Sequence, residues 1–255
     1  MPTPDSRLNR AQYPRASSYD PALVLENLMG PNVLWLTESL TQVIDLQPGM
    51  RVLDLGCGKA ISSIFLAREF DVQVWAAELW IKPSENWDRI REAGFHDSVF
   101  PISVEAHAMP FAAEFFDAIV SFDAYHYFGT DNLYLSSCAR FLKPGGLLGI
   151  VVPGLKREFT AGLPVHLDPF WHPDFWSFHS PEWWSTHWQQ SEIVDILHAD
   201  QVPDGWRDWL DWLELCAELG YRSDPQEAEM VRIDAGRNLG FSRIAARKRA
   251  AQAAT

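Results

Sequence analysis

Short apolar runs alternate with helix-length segments through the middle of the chain. The apolar runs predict strands, and the segments between them predict helices. The predicted strands span Arg51–Leu55, Gln73–Glu78, Val99–Ser103, Phe116–Ser121 and Leu147–Val152, and the predicted helices span Ile61–Glu69, Trp87–Ala93 and Asn132–Phe141. Near-continuous apolar strands separated by helices are typical of a parallel sheet covered on both faces. We therefore expect a doubly wound α/β fold, whose ligands bind beyond the carboxyl ends of the strands.

The two ends of the chain follow other patterns. Residues up to about Arg15 are expected to be disordered, and Pro21–Leu46 predicts two helices broken at Gly30-Pro31. Beyond Val152, a Pro-rich and Trp-rich segment predicts a lid. Further elements are predicted over Pro181–Gln190, Ile193–His198, Gly205–Leu219, Glu227–Gly236 and Gly240–Ala246. The expected organisation is an N-terminal arm over residues 1–46 and one domain over residues 47–255, with α-rich lid segments near residues 153–180 and 203–236.

Composition and charge narrow the classes of function. The 255 residues have a formal net charge of -13, which repels phosphate backbones, so nucleic acid is not an expected partner. No apolar run suits a signal peptide or a membrane span, and three widely spaced cysteines suggest neither a disulfide framework nor a zinc knuckle. We expect a cytoplasmic protein with no membrane contact and no metal. The oligomeric state is left open.

Residues 158–221 combine twelve carboxylates with eight of the twelve tryptophans and a single Lys or Arg, Arg207. One interpretation is a cage for a cationic substrate, held by cation–π attraction and formed by nearby carboxylates with Trp171, Trp176, Trp183 and Trp184. The other is that the rings pack between lid and sheet while the acids form a solvated face. Trp209 and Trp212, three residues apart, fit a packed helix face. We expect packing for most of these rings, with one or two reaching a ligand pocket.

The most specific motif is the turn that follows the first predicted strand. A buried strand ends at Leu55 and continues through Gly56 and Gly58 into a helix, and glycines there let a ligand approach the backbone closely. Twenty residues beyond Gly58, Glu78 closes the next strand, where a carboxylate can accept hydrogen bonds from a ribose. A dinucleotide site would need a third glycine at the position of Ile61, so a nicotinamide oxidoreductase is disfavoured.

Asp54 precedes the glycine turn and is placed to receive a cationic amino group. S-adenosylmethionine (SAM) offers such a group and has no pyrophosphate. Five successive segments resemble the motifs of class I SAM-dependent methyltransferases; they are Val52–Ala60, Glu78, Glu105–Phe111, Phe116–Val120 and Leu142–Gly146. The resemblance covers about residues 51–152. It implies a Rossmann-like sheet of seven strands with the last antiparallel, SAM as cofactor and S-adenosylhomocysteine as product.

The resemblance also implies which residues contact the cofactor. They are Asp54, Gly56, Cys57, Gly58, Glu78, Leu79, Glu105, Ala106, Ser121 and Asp123. The two glycines would pack against the methionine part, Glu78 would hold the ribose, Glu105 would face the adenine amino group, and Ser121–Asp123 would lie near the sulfonium. Glu105 stands where Asp is commoner. At position 60 an alanine replaces a glycine that is usual in the family, and an alanine can occupy this position if its φ is negative.

The candidate catalytic residues are His126 and Tyr19. His126 follows the fourth strand and resembles a histidine that phosphoethanolamine methyltransferases, among others, pair with a tyrosine of the N-terminal arm; Tyr13 is a weaker candidate for that partner than Tyr19. The expected substrate contacts are Tyr13, Tyr125, Trp171 and Trp176. Alternatively, His126 binds a backbone carbonyl while Tyr125 and Tyr127 pack a helix, and geometry must decide between these roles.

The sequence thus predicts methyl transfer from SAM to a small-molecule nucleophile, with N-methylation slightly ahead of O- or S-methylation. Carboxylates near an amine stabilise its protonated form, so an amine acceptor would need a base. The alternative is a non-catalytic SAM-binding or regulatory protein.

Overall fold

The computed structural model describes residues 6–250; residues 1–5 of the predicted arm and residues 251–255 of the predicted domain lie outside the described part. Its strands are β1 Arg51–Leu55, β2 Gln73–Glu78, β3 Val99–Ser103, β4 Phe116–Phe122, β5 Leu142–Leu155, β6 Val194–Gln201 and β7 Leu239–Lys248. Its α-helices are α1 Pro21–Glu26, α2 Val33–Thr41, α3 Ile61–Phe70, α4 Pro83–Glu92, α5 Tyr134–Ala139, α6 Pro181–Gln189, α7 Gly205–Glu218 and α8 Pro225–Asp234. Every predicted strand and helix therefore exists; β1, β2 and β3 have the predicted ends, and the ends of the other elements are shifted.

The strands of residues 6–250 form one seven-stranded sheet in the order β3-β2-β1-β4-β5-β7-β6. β1 pairs in parallel with both β2 and β4, whereas β7 lies antiparallel between β5 and β6. Strand order reverses between β1 and β4, so a crevice opens at their carboxyl ends. The predicted fold class, a doubly wound and mostly parallel sheet, is confirmed.

Successive residues of the central strands face opposite sides of the sheet and supply two apolar cores. Val52 and Val120 join the core that contains the arm, α2, α3 and α7. Leu53 and Ile119 join the core that contains the aromatic rings of α5 and α6. Burial on both faces explains why these strands read as continuous apolar runs. The sheet ends are thereby held as a rigid base for a binding site.

Capping residues fix the helix starts that shape this crevice. Asp20 and Asn32 accept backbone N–H bonds at the starts of α1 and α2. Ser180 caps α6, which begins with Pro181 as the sequence predicts. Within residues 6–250, no helix combines the length and apolarity needed to cross a membrane.

The described part of the arm before α1 is packed, contrary to the expected disorder up to Arg15. The Tyr13 side chain is buried and its hydroxyl donates to Asp208 at 2.9 Å. Arg10 pairs with Asp211 at 2.5 Å. These contacts attach the arm to α7, about two hundred residues away in sequence, where no local pattern could reveal them.

Candidate functional site

A cavity lies at the carboxyl ends of β1, β2 and β4 and encloses about 1240 Å³, its open mouth included. One end is lined by the glycine turn after β1 and by the residues that follow β2 and β3. The other end is lined by the residues after β4, by the loop between α1 and α2, and by one ring of α7. We call these the turn end and the arm end. The arm-end side chains include Leu28, Met29, Pro31, Asp123, Tyr127, Phe128 and Trp212.

The glycine turn has a backbone that side chains would not tolerate. Gly56 and Gly58 have φ of 77° and 55°, in the left-handed region that favours glycine. A Cβ on Gly56 would overlap the Cβ of Ala124, and one on Gly58 would lie 2.7 Å from the Met29 sulfur. Two consecutive N–H groups of the turn, at Gly56 and Cys57, donate to the Ala77 carbonyl at the end of β2. The glycines therefore let the turn lie close under the arm and the β4 loop.

Ala60 also adopts a left-handed conformation, with φ of 62°. The condition under which an alanine is tolerated here, a negative φ, is therefore not met. The residue precedes α3, and its N–H donates to the Cys57 carbonyl at 2.9 Å, closing the turn. A left-handed alanine costs roughly 1–2 kcal/mol. The turn thus carries local strain where the family usually has glycine.

Glu78 connects the turn to the end of β2. Its side chain is buried, and its carboxylate accepts from the N–H groups of Gly58 and Trp80, both at 2.8 Å. A carboxylate has about four acceptor positions, so both oxygens can still accept from further hydroxyls. Leu79 and Trp80 follow on the cavity wall with 55% and 73% of their surfaces exposed. A carboxylate beside an exposed apolar surface is suited to a ligand in which a sugar carries a planar aromatic ring.

Glu105 and Ala106 complete the turn end. Glu105 is exposed and accepts from the His107 backbone at 3.0 Å, while the His107 ring lies 2.8 Å from its other oxygen. These contacts lower the pKa of the Glu105 carboxyl. Eight of the ten predicted cofactor residues line the cavity: Gly56, Cys57, Gly58, Glu78, Leu79, Glu105, Ala106 and Asp123.

Asp54 and Ser121 lie beneath the cavity formed by the described residues and do not line it. One Asp54 oxygen accepts from the hydroxyls of Ser62 and Ser63 at 2.6 and 2.7 Å, and the other has no partner within residues 6–250. Full burial raises the pKa of Asp54 to about 6. The Ser121 hydroxyl donates to the Leu55 carbonyl at 2.6 Å. In this structure both residues fix the strand ends and the start of α3.

His126 lies behind Tyr127 and not on the cavity wall of the described part. Its side chain is 1% exposed, and its ring centroid is 4.0 Å from that of Tyr127. Burial lowers the pKa of His126 to about 3, so its imidazole is neutral. Its Nδ1 has no hydrogen-bond partner among residues 6–250. The side chain that lines the cavity here is Tyr127, which the sequence interpretation treated as packing.

The predicted tyrosine partners are likewise placed elsewhere. The Tyr19 hydroxyl donates to Glu69 at 3.1 Å and its ring stacks on Phe65, so the expected pair with His126 is not formed. Tyr13 is held by Asp208. Tyr125 is fully buried among the rings of α5 and α6. None of the three lines the cavity of residues 6–250.

The sequence suggested that one or two tryptophans of residues 158–221 reach a ligand pocket. One does, but it is neither Trp171 nor Trp176. Trp171 packs edge-on against Phe175 and Phe178, and Trp176 is 61% exposed; neither lines the cavity in the described part. Trp212 does line it, although its position indicated a packed helix face. The Trp212 indole N–H donates to the Gly30 carbonyl at 2.9 Å. One ring of the acidic segment therefore reaches the pocket, and it comes from α7.

Asp123 supplies the acid of the arm end. It follows β4 with φ of 54°, and its carboxylate packs against Gly30, where a Cβ would overlap it. Burial, and next the charge of Glu227 on α8, raise the pKa of Asp123 to about 8. Burial also raises the pKa of Tyr127 to about 12, with the Asp123 charge as the next contribution. This end thus pairs an uncharged phenol with a carboxyl that titrates near neutrality.

The loop between α1 and α2 is the part of the site that sequence reasoning missed. Met29, Gly30 and Pro31 line the cavity, and the Lys59 ammonium group donates to the Glu26 carbonyl at 3.0 Å. The Gly30-Pro31 break predicted a loop but gave no sign of what the loop covers. Trp212 bonds the loop at Gly30, and Lys59 bonds the end of α1 from which the loop starts.

The chain is similar in sequence to known methyltransferases. Residues 53–150 match the family model described as "Methyltransferase domain". A curated relative, methyltransferase GfsG of Streptomyces halstedii, is 31% identical over 174 residues, which are 62% of this chain and 60% of that protein. Other relatives are named as ubiquinone biosynthesis O-methyltransferases and a sterol 24-C-methyltransferase. The chain spans less than two thirds of the length of these relatives.

Solved structures share the fold across most of the chain. Phosphoethanolamine N-methyltransferase 2 of Haemonchus contortus, in complex with SAM, aligns with a TM-score of 0.70 at 19% identity, covering 98% of this chain and 60% of that one. The 4+2 cyclase SpnF aligns with a TM-score of 0.66 at 21% identity, covering 84% and 80%. At such identities the likeness establishes the fold alone.

Proposed function

Since this chain belongs to the class I SAM-dependent methyltransferases, we propose that it transfers the methyl group of SAM to a nucleophilic atom of a small molecule. The match over residues 53–150 confirms the predicted family, whose cofactor is SAM. One observation carries the proposal: a single cavity joins a glycine turn and a strand-end carboxylate to a separate polar end. A donor and an acceptor can therefore be held together in one space.

The turn end fits the cofactor. We assign Gly56 and Gly58 to the methionine part, because both line the cavity at the turn that follows β1. Glu78 has acceptor positions left for the ribose hydroxyls. Leu79 and Trp80 offer apolar surface to the adenine, beside Glu105. In this assignment Asp54 supports the turn from below.

Methyl transfer is an in-line displacement at a sulfonium, so the enzyme's task is to align the nucleophile with the methyl group and to exclude water. We assign both tasks to the arm-end residues Asp123, Tyr127 and Trp212. We place N-methylation slightly ahead of O- or S-methylation, since a carboxylate among aromatic rings suits a cationic acceptor. We also keep residues 153–180 and 203–236 as the proposed lid, of which the second supplies Trp212.

Two measurements test the proposal. Calorimetry with SAM and S-adenosylhomocysteine should detect binding, which Glu78→Ala should weaken at least tenfold, because hydrogen bonds to a charged group contribute about 1.5–3 kcal/mol. Purified protein should then release S-adenosylhomocysteine with at least one member of a panel of small amines, phenols, thiols and carboxylic acids. Absence of binding would remove the basis of the proposal.

A SAM-binding protein without methyl transfer is the second candidate. The structural likeness to a protein described as a cyclase favours keeping it, because fold does not fix the reaction. Tight SAM binding with no turnover on any acceptor of the panel would support it.

A further inference from the structure

The Asp123 carboxylate is the unpaired acid of the cavity. It lines the arm end, and no residue of 6–250 donates a hydrogen bond to its side chain. Its oxygen lies against Gly30, where the missing Cβ makes room for it. Asp123 is half-buried, and acids in a cleft whose pKa is raised by burial gather at functional sites. The arrangement leaves this acid available to a ligand.

Aromatic rings surround the same space. Tyr127 and Phe128 follow Asp123 by one turn, and Trp212 reaches in from α7. The hydrogen bond from the Trp212 indole to the Gly30 carbonyl fixes that ring beside the loop that Asp123 packs against. Among the lining residues of the described part, Lys59 is the one cation, and its ammonium group is engaged by the Glu26 carbonyl. An acid with aromatic faces and no free neighbouring cation is suited to an ammonium group.

We propose that Asp123 binds the ammonium form of an amine acceptor and takes up its proton before methyl transfer. This role rests on the proposed function, and it names the substrate class of the arm end. The carboxylate removes one proton from the ammonium nitrogen and becomes a carboxylic acid. The freed lone pair forms the new N–C bond while the methyl–sulfur bond breaks and its electrons stay on sulfur. The proton then leaves Asp123 for solvent through the mouth of the cavity.

The neighbouring candidates are less suited to this step. His126 lies behind the Tyr127 ring, and its lowered pKa makes its imidazole a weak base. Tyr127 keeps its proton at neutral pH because its pKa is raised, so its phenol donates a hydrogen bond. Asp123 alone among the three combines cavity contact with a pKa of about 8, close to neutral pH, where a general base is most effective.

The pH dependence follows from the groups that face Asp123. Glu227 faces it from α8, Tyr127 from the turn after β4, and the loop at Gly30 presents backbone. Asp174 adds a further negative charge near Tyr127. The acid must be ionised to bind a cation, so kcat/KM for an amine should rise with pH through about 8. It should fall again where the free amine loses its own charge.

The test compares Asp123→Asn with Asp174→Asn, which removes an exposed carboxylate of the same neighbourhood. We expect Asp123→Asn to lower kcat on amines at least 100-fold, to abolish the rise of kcat/KM with pH, and to leave the affinity for S-adenosylhomocysteine within about threefold. Asp174→Asn should change each value less than about threefold. Gly30→Ala, which keeps the acid but displaces it, should lower kcat on amines at least tenfold.

Two results would overturn the inference while the proposed function stood. In one, Asp123→Asn keeps amine turnover and the wild-type pH profile. In the other, the wild type binds SAM and methylates phenols, thiols or carboxylic acids but no amine. Absence of SAM binding, measured separately by calorimetry, would instead show that the proposed function itself had failed, and the inference with it.

Discussion

The two ends of the cavity are built in different ways. At the turn end, the backbone forms most of the surface: Gly56, Gly58 and the strand ends are joined by short hydrogen bonds to Ala77 and Glu78. At the arm end, side chains from three distant segments meet, with Asp123 after β4, Trp212 on α7 and Met29 in the arm loop. The first end is fixed by the sheet, whereas the second depends on how the arm and α7 pack. Substitutions should therefore separate binding of the cofactor from binding of the acceptor.

The largest expected effect is at the turn end, with Gly56→Ala. An alanine would be left-handed there, at roughly 1–2 kcal/mol, and its Cβ would overlap that of Ala124. We expect lower stability and at least a 100-fold loss of SAM affinity by calorimetry. Gly58→Ala is the matched control, since its Cβ meets the flexible Met29 side chain, which can move away. This variant should carry the penalty of the left-handed backbone without a steric overlap, so its SAM affinity should fall up to about tenfold. Equal losses in both variants would contradict this account.

An intermediate effect is expected at the arm end, with Trp212→Phe. The change removes the donor to the Gly30 carbonyl, and an unsatisfied buried group costs about 1–3 kcal/mol. KM for the acceptor should rise about fivefold or more, while SAM affinity changes little. Trp184→Phe is the control, because the buried Trp184 indole N–H has no partner within residues 6–250. If SAM affinity fell as much as acceptor binding, the two ends would not be separable in this way.

The smallest effect concerns the strained alanine of the turn. Ala60→Gly relieves a left-handed φ and should raise the free energy of unfolding by about 1 kcal/mol, which corresponds to about 2–4 °C in Tm. Ala67→Gly, in the body of α3, should lower it by about 0.5–1 kcal/mol. Thermal unfolding of both variants provides the check. A lower Tm for Ala60→Gly would show that the unfolded-state entropy of glycine outweighs the strain.

The residues of the turn end could be predicted from the sequence and those of the arm end could not, and the reason is physical. The turn end is encoded locally: the β1 strand, its glycines and Glu78 lie within thirty residues, so spacing alone indicated their contact. Trp212 and Gly30 are 182 residues apart, and the burial of His126 depends on Phe178 in the lid. No periodicity along the chain indicates contacts between residues so far apart in sequence. The arm end therefore required the structure, and the roles of its residues stay predictions.

The wide separation in sequence between Trp212 and Gly30 also determines the order in which the two ends of the cavity can form. The three strands that carry the turn end, β1 to β3, are complete once residue 103 has been synthesised, whereas the arm loop waits for Trp212 on α7, more than a hundred residues later. Contacts between distant segments form slowly because a long loop must close first. On the ribosome, the turn end can thus take shape early, and the arm end closes only after α7 has been synthesised.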